Sequence, residues 1–168
     1  MKIGLISDTH GYLHPRLLHY LSDCSEIWHA GDWGSYDLVQ QLGHKKMIRS
    51  VYGNIDGQTI RSQYNEMIYF ELEHVKVCMM HIGGYPGRYD KRAFAFAKKH
   101  NPQIFVCGHS HILKVQFDNN NQWLYLNPGA TGNHGWHKVI TMITFDLLDG
   151  KILNMQVIEL GPRGKISD

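Results

Sequence analysis

Five short, nearly continuous apolar runs occupy the first two thirds of the chain, and each ends on a residue able to hold a metal ion. The runs are residues 3–6, 27–28, 47–52, 75–80 and 104–107, rich in Val and Ile. Continuous rather than alternating apolar character is expected of strands buried on both faces, as in the parallel part of an α/β sheet. Three segments with helical spacing lie between or beside them. Pro15 precedes Leu17, Leu18 and Leu21; residues 36–42 form a second; and residues 89–100 carry Ala93, Phe94 and Ala97 on one side and lysines on the other. From Leu113 onward the texture becomes antiparallel, with strand-like stretches at 115–117, 123–126, 139–145 and 152–160. Asn119-Asn120-Asn121 and Asp149-Gly150 mark turns. The 168 residues read as one α/β domain, at roughly 150 residues per domain, with residues 161–168 as a loose tail.

Behind the runs stand Asp8-Thr9-His10, Gly31-Asp32, Gly53-Asn54, His81, and Gly108-His109-Ser110-His111. The carboxyl ends of strands are where α/β sheets bind ligands. Taken singly, Asp8 reads as a turn or cap residue, Asn54 as a turn residue and His81 as a core histidine. As an ordered set on five strand ends they read as a metal centre. In Asp8-x-His10 and His109-x-His111 the spacing of two sends both side chains to one side of an extended backbone, and the neighbouring glycines permit close approach. Imidazole, carboxylate and amide donors without thiolate suit Mn first, with Fe, Zn and Ni also compatible. Seven donors exceed one tetrahedral ion and suit two ions sharing a carboxylate.

Composition excludes several alternatives. Apolar residues are 43% and charged residues 19%, and the net charge of +2 gives no strong nucleic-acid signal. No run of eighteen apolar residues suggests a membrane span, and Asp8 interrupts the N-terminal apolar stretch too early for a secretory signal. Cys24, Cys78 and Cys107 are odd in number and widely spaced, so a reducing cytoplasm is expected. Twelve histidines, against 15 acidic residues, are the compositional outlier.

The ordered blocks D-x-H, G-D, G-N-x-D, a single H after a strand and G-H-x-H resemble the calcineurin-like metallophosphoesterases, over residues 1 to about 135. The length and the lack of a cap domain are most similar to the small phosphodiesterase branch, which shares its fold with the retromer scaffolding subunit. The resemblance implies a four-layer αββα sandwich of two mixed β-sheets flanked by helices. It assigns Asp8, His10, Asp32 and His111 to one divalent ion. Asp32 bridges to a second, held with Asn54, His81 and His109. It further implies a metal-bridging hydroxide held by Asp32 that attacks a small phosphate ester in line, and assembly as a homo-oligomer. Competing readings are a catalytically silent protein-binding scaffold of the same fold, and a nuclease or nucleotide phosphatase.

Three departures from the family pattern bear on chemistry. Many relatives carry a leaving-group histidine directly after the motif asparagine; here Ile55 stands there, followed by Asp56. This favours phosphodiesters with acidic leaving groups over monoesters. His81-Ile82-Gly83 replaces an H-G-H motif, and Asn127-Pro128-Gly129 continues into Ala130-Thr131-Gly132-Asn133-His134-Gly135-Trp136-His137. His134 or His137 is therefore the candidate proton donor. Tyr85, Tyr89 and Trp136 are candidates to stack on a base or aryl group.

Overall fold

The computed structural model describes residues 1–164. Two five-stranded mixed sheets face each other. The first contains β1 (Lys2–Ile6), β2 (Glu26–His29) and β3 (Met47–Ser50), mutually parallel, extended by β11 (Val139–Leu148) and β12 (Lys151–Pro162), which are antiparallel. Its order is β12-β11-β1-β2-β3. The second has the order β4-β5-β8-β10-β9, built from β4 (Met67–Leu72), β5 (Val75–Met80), β8 (Ile104–Val106), β9 (Leu113–Asp118) and β10 (Trp123–Pro128). A short ribbon, β6 (Gly84–Tyr85) with β7 (Arg88–Tyr89), stands apart.

The early runs are continuous in apolar character because both faces are covered. In β1, Ile3 and Leu5 point into the core between the sheets, while Ile6 joins the cluster under the helices. Gly4 lies under α1 (Leu17–Leu21): a Cβ there would sit 2.5 Å from Leu21 Cδ2. In β5, Val75, Val77 and Met79 meet the first sheet, and Cys78 and Met80 meet α4 (Lys91–His100). Trp28 fills the middle, edge-on to Phe70 and Phe145 at 5.0 and 5.4 Å between ring centres. Helices α1 and α2 (Tyr36–Gly43) cover the outer face of the first sheet, with the single turn α3 (Gln58–Arg61) beside them, and α4 covers the second. The αββα sandwich of the sequence reading is thus the observed fold.

Three details differ from the sequence reading. Tyr89 belongs to β7, and α4 begins after Asp90, whose side chain caps it by accepting from the Arg92 and Ala93 amides. The last third is not purely antiparallel, since β10 runs parallel to β8. The chain does not loosen at Gly161: β12 continues to Pro162, Arg163 N donates to Lys138 O, and Gly164 N donates to Asn133 Oδ1. Only 165–168 of the expected tail lie outside the described residues. No described helix is long and apolar enough to cross a membrane.

Candidate metal centre

Parallel strands end at the same edge, so β1, β2 and β3 of one sheet and β5 and β8 of the other deliver their following loops to a common cleft. Asp8, His10 and His111 form one group of converging donor atoms, and Asp32, His81 and His109 form a second. Asp8 Oδ1 lies 3.1 Å from His111 Nε2, 4.0 Å from His10 Nε2 and 3.9 Å from His81 Nε2. Asp32 Oδ2 lies 3.1 Å from His81 Nε2 and 3.9 Å from His10 Nε2. Each carboxylate thus faces imidazoles of both groups. Asn54 lines the same cleft from the loop after β3.

The other oxygen of each carboxylate is tied to the protein. Asp8 Oδ2 accepts from Ser7 Oγ at 2.6 Å and from His109 N at 3.1 Å, and Asp32 Oδ1 accepts from Ile55 N at 3.0 Å. This leaves Asp8 Oδ1 and Asp32 Oδ2 aimed at the imidazoles. His81 Nδ1 donates to Ala30 O at 2.8 Å, which turns its Nε2 toward the carboxylates. Asp8 Oδ1 and His81 Nε2 are buried without a hydrogen-bond partner. The 3.1 Å approach of His81 to Asp32 lacks the alignment of a hydrogen bond, as expected of donors converging on a common point rather than on each other. Unpaired buried donors of this kind cost free energy unless a cation satisfies them.

The charges follow the burial. Burial draws the His10 and His109 imidazoles below their ordinary pKa and so keeps them neutral, the state that ligates. Burial raises the Asp32 carboxyl, but His81 and the Ile55 amide outweigh it and hold the group below the usual carboxylate range. For His81, burial lowers the pKa, and the neighbouring Asp32 and Asp8 more than reverse it.

The expected extended geometry of the two D/H-x-H pairs is not what the chain adopts. Asp8, His10, Asp32, His109 and His111 all have positive φ, between 48° and 66°. The left-handed backbone costs a non-glycine residue of order 1 kcal/mol or more, and such strain gathers at functional sites. Loop-to-loop hydrogen bonds impose it: Asp8 N donates to Gly31 O, His10 N to Asp32 O, and Gly11 N to Trp33 O.

Several supporting residues carried no functional reading in the sequence. Buried Asp56 accepts from Gly34 N at 2.9 Å and Gly53 N at 2.8 Å, joining the loops that carry Asp32 and Asn54. Its position two residues after Asn54 was the available signal. Asn127 Nδ2 donates to Gly108 O and Ser110 Oγ, bracing the loop of His109 and His111. His29 is wholly buried, stacked on Trp33 at 3.6 Å, and its Nδ1 accepts from Gly31 N, so its Nε2 donates to Thr9 Oγ1. His14 is also buried. Burial foremost, with His81 nearby, holds the His29 pKa well below its ordinary 6.5. The unfolded chain takes up a proton at this site below about pH 6.5 that the folded chain refuses, so stability falls as pH drops through that value. Urea titrations at pH 5 and 7 are expected to show a smaller pH difference for His29→Gln than for wild type.

Of the proton-donor candidates, His134 is exposed with its ring 5.0 Å from that of His10. His137 lies 5.3 Å from His111; its Nε2 donates to Gly132 O, and its Nδ1 is buried and unpaired. Tyr89 donates to Asp118 in the packing around α4, and Tyr85 lies under Lys114, so neither lines the cleft that Trp136 lines.

A layered αββα sandwich with paired donor groups at the strand ends defines a metallophosphatase-type fold. The chain belongs to the calcineurin-like phosphoesterase superfamily, whose domain matches residues 1–150. It is 26% identical over 173 residues to a Methanothermobacter thermautotrophicus protein named "Probable metallophosphoesterase", covering 96% of this chain and 94% of that one. An archaeal phosphodiesterase of known structure superposes with a TM-score of 0.75 at 20% identity, over 95% of this chain and 99% of that chain. Entamoeba histolytica Vps29, solved in complex with Zn, superposes with a TM-score of 0.69 at 18% identity, over 96% and 100% of the two chains. Phosphoester chemistry and metal dependence are properties of this family, and two donor groups suited to metal are present in this chain.

Proposed function

We propose that this chain is a dinuclear metal-dependent phosphodiesterase, with Mn as its preferred ion and Fe, Zn or Ni as substitutes. The observation that carries the reading is the pair of buried, unpartnered donors, Asp8 Oδ1 and His81 Nε2, 3.9 Å apart between two converging groups. The donor set fits hard-to-borderline divalent ions. Asp8, His10 and His111 would hold one ion, and Asp32, His81 and His109 the other, with Asp32 shared and Asn54 completing the set. When bound, two such ions supply a water acidic enough to lose its proton near neutral pH and the positive charge that holds a phosphoryl group.

The chain's own residues do the rest. Ser7 and Ile55 fix the carboxylates through the oxygens that face away from the imidazoles. Ile55 beside the centre offers no proton to a leaving group, which favours esters of acidic alcohols. Two clefts meet at Asn54. One of about 160 Å³ is walled by Tyr52, Met67 and Ile82, and one of about 480 Å³ by Ile55, Ile112 and Trp136. A diester has two arms, and two clefts accommodate them. His137 donates its Nε2 proton to Gly132 O, so its free Nδ1 accepts rather than donates. The donor role therefore falls to His134. For diesters with alkoxide leaving groups, His134→Ala is expected to lower kcat by about a hundredfold, within the range of general-acid catalysis. With p-nitrophenolate as leaving group the loss is expected to be a few-fold at most. Equal losses on both substrates would remove His134 from the role.

A cytoplasmic setting accords with Cys24, Cys78 and Cys107 all being free and buried. The deciding experiment strips the protein of metal, restores Mn, and follows bis-p-nitrophenyl phosphate and p-nitrophenyl phosphate, with Asn54→Ala and His111→Ala in parallel. Mn-dependent turnover, faster on the diester and lost in both variants, is expected. Tight Mn binding without turnover would favour the second reading, a scaffold of this fold, which the likeness to Zn-bound Vps29 keeps in view.

A further inference from the structure

The chain has four tryptophans, three of them, Trp28, Trp33 and Trp123, wholly buried. The fourth, Trp136, is 98% exposed, the highest value among the exposed large hydrophobic residues. It stands on the rim of the cleft that Asn54, His109 and His111 also line. Ile55 and Ile112, at 46% and 67% exposure, share that rim. An exposed tryptophan forgoes roughly 2 kcal/mol or more of burial free energy, so its position calls for a partner outside the chain.

The loop that presents it is held on both sides. Asn133 and Gly164 exchange two hydrogen bonds, Arg163 Nε donates to His137 O at 2.7 Å, and His137 donates to Gly132 O. The backbone beside Trp136 presses on the metal centre: a Cβ at Gly135 would fall 2.2 Å from His111 Nδ1. The backbone that carries the indole is thus held one residue from the point where the loop touches a candidate ligand. Among the described residues no Lys or Arg lines this cleft. Within this cleft nothing beyond the metal centre would neutralise a second phosphate; Arg61 and Arg163 line the neighbouring clefts. The remaining chemistry is one phosphoryl group beside an apolar, flat-faced rim.

We infer that Trp136, with Ile55 and Ile112, forms a stacking platform that selects phosphoesters carrying a planar aromatic arm, aryl or nucleoside. The inference rests on the phosphodiesterase reading for the identity of the phosphoryl site. Trp136 is accordingly a specificity-determining residue, acting on the arm rather than on the reacting atoms. Aromatic stacking of this kind changes affinity by roughly five- to a hundredfold when the protein ring is removed.

The test is calorimetric binding of methyl phosphate, phenyl phosphate and thymidine monophosphate to Mn-supplemented wild type, Trp136→Ala and Trp136→Phe. Bis-p-nitrophenyl phosphate turnover is read on the same preparations. Wild type is expected to favour the aromatic phosphates over methyl phosphate. That ratio should fall about tenfold in Trp136→Ala and be largely kept in Trp136→Phe. Loss confined to thymidine monophosphate identifies a nucleoside arm, and loss confined to phenyl phosphate an aryl arm. An unchanged ratio in Trp136→Ala, or no binding of any of the three by wild type, overturns the platform. Discrimination without turnover removes the phosphodiesterase reading and keeps the platform; turnover without discrimination does the reverse.

Discussion

Asp32→Asn is expected to lower Mn-dependent hydrolysis of bis-p-nitrophenyl phosphate by at least about a thousandfold in kcat/KM, with the fold retained. Asparagine keeps the volume of this buried side chain, and its Oδ1 can still accept from Ile55 N. What it removes is the anionic oxygen that faces His81 at 3.1 Å and His10 at 3.9 Å. In its stead stands a neutral amide N–H, which offers no lone pair where two cations would otherwise share a ligand. Calorimetric Mn titration should show weakened binding alongside the lost turnover. Far-UV circular dichroism should be unchanged. Turnover within tenfold of wild type would mean that Asp32 is not the shared carboxylate.

Gly53→Ala is expected to disturb the same centre by shape alone. A Cβ at this position would lie 2.0 Å from Asp32 Oδ1 and 2.3 Å from Asp32 N. Neither side can retreat freely. Gly53 N donates to Asp56 and its carbonyl accepts from Arg61, while Asp32 Oδ1 is engaged by Ile55 N. Overpacking of this kind costs about 1–3 kcal/mol. The displaced Asp32 is expected to weaken Mn binding by on the order of a hundredfold, the scale associated with disturbing residues that orient metal ligands. Urea unfolding and Mn titration measure the two effects separately. Unaltered Mn affinity would show that the loop of Asn54 moves without taking Asp32 along.

Both variants act on residues that local sequence could nominate. The strand ends were legible because β1, β2, β5 and β8 are covered on both faces, which makes their apolar runs continuous and their termini abrupt. Asp8, Asp32, His81, His109 and His111 each follow such a terminus. Edge strand β4, Met-Ile-Tyr-Phe-Glu-Leu, carries an apolar run but ends on no donor of the centre, and α3 is a single turn with no periodicity to detect. Asp90 shows the limit of periodicity at a boundary: apolar spacing carried the fourth helix back to Tyr89, whereas the cap begins it two residues later.

The backbone of the site was beyond reach of spacing arguments. An i, i+2 pair in sequence is neutral between an extended stretch and two left-handed residues. The hydrogen bonds from Asp8, His10 and Gly11 to the loop of Asp32 chose the second. Likewise, composition shows that Trp136 and His134 exist near an N-P-G turn, but only packing carries that loop onto His111 and leaves the indole exposed beside the cleft. Sequence by itself determined the α/β class, the order of strands that end in donors, and the chemistry of those donors; the layered sandwich was what the family resemblance implied. These depend on residue type and short-range pattern. Tertiary structure alone decided which oxygen of each carboxylate faces the centre and which aromatic stands at the rim. Those outcomes depend on hydrogen bonds and contacts between loops far apart in sequence, such as His109 N to Asp8 across 101 residues, and no local pattern encodes them.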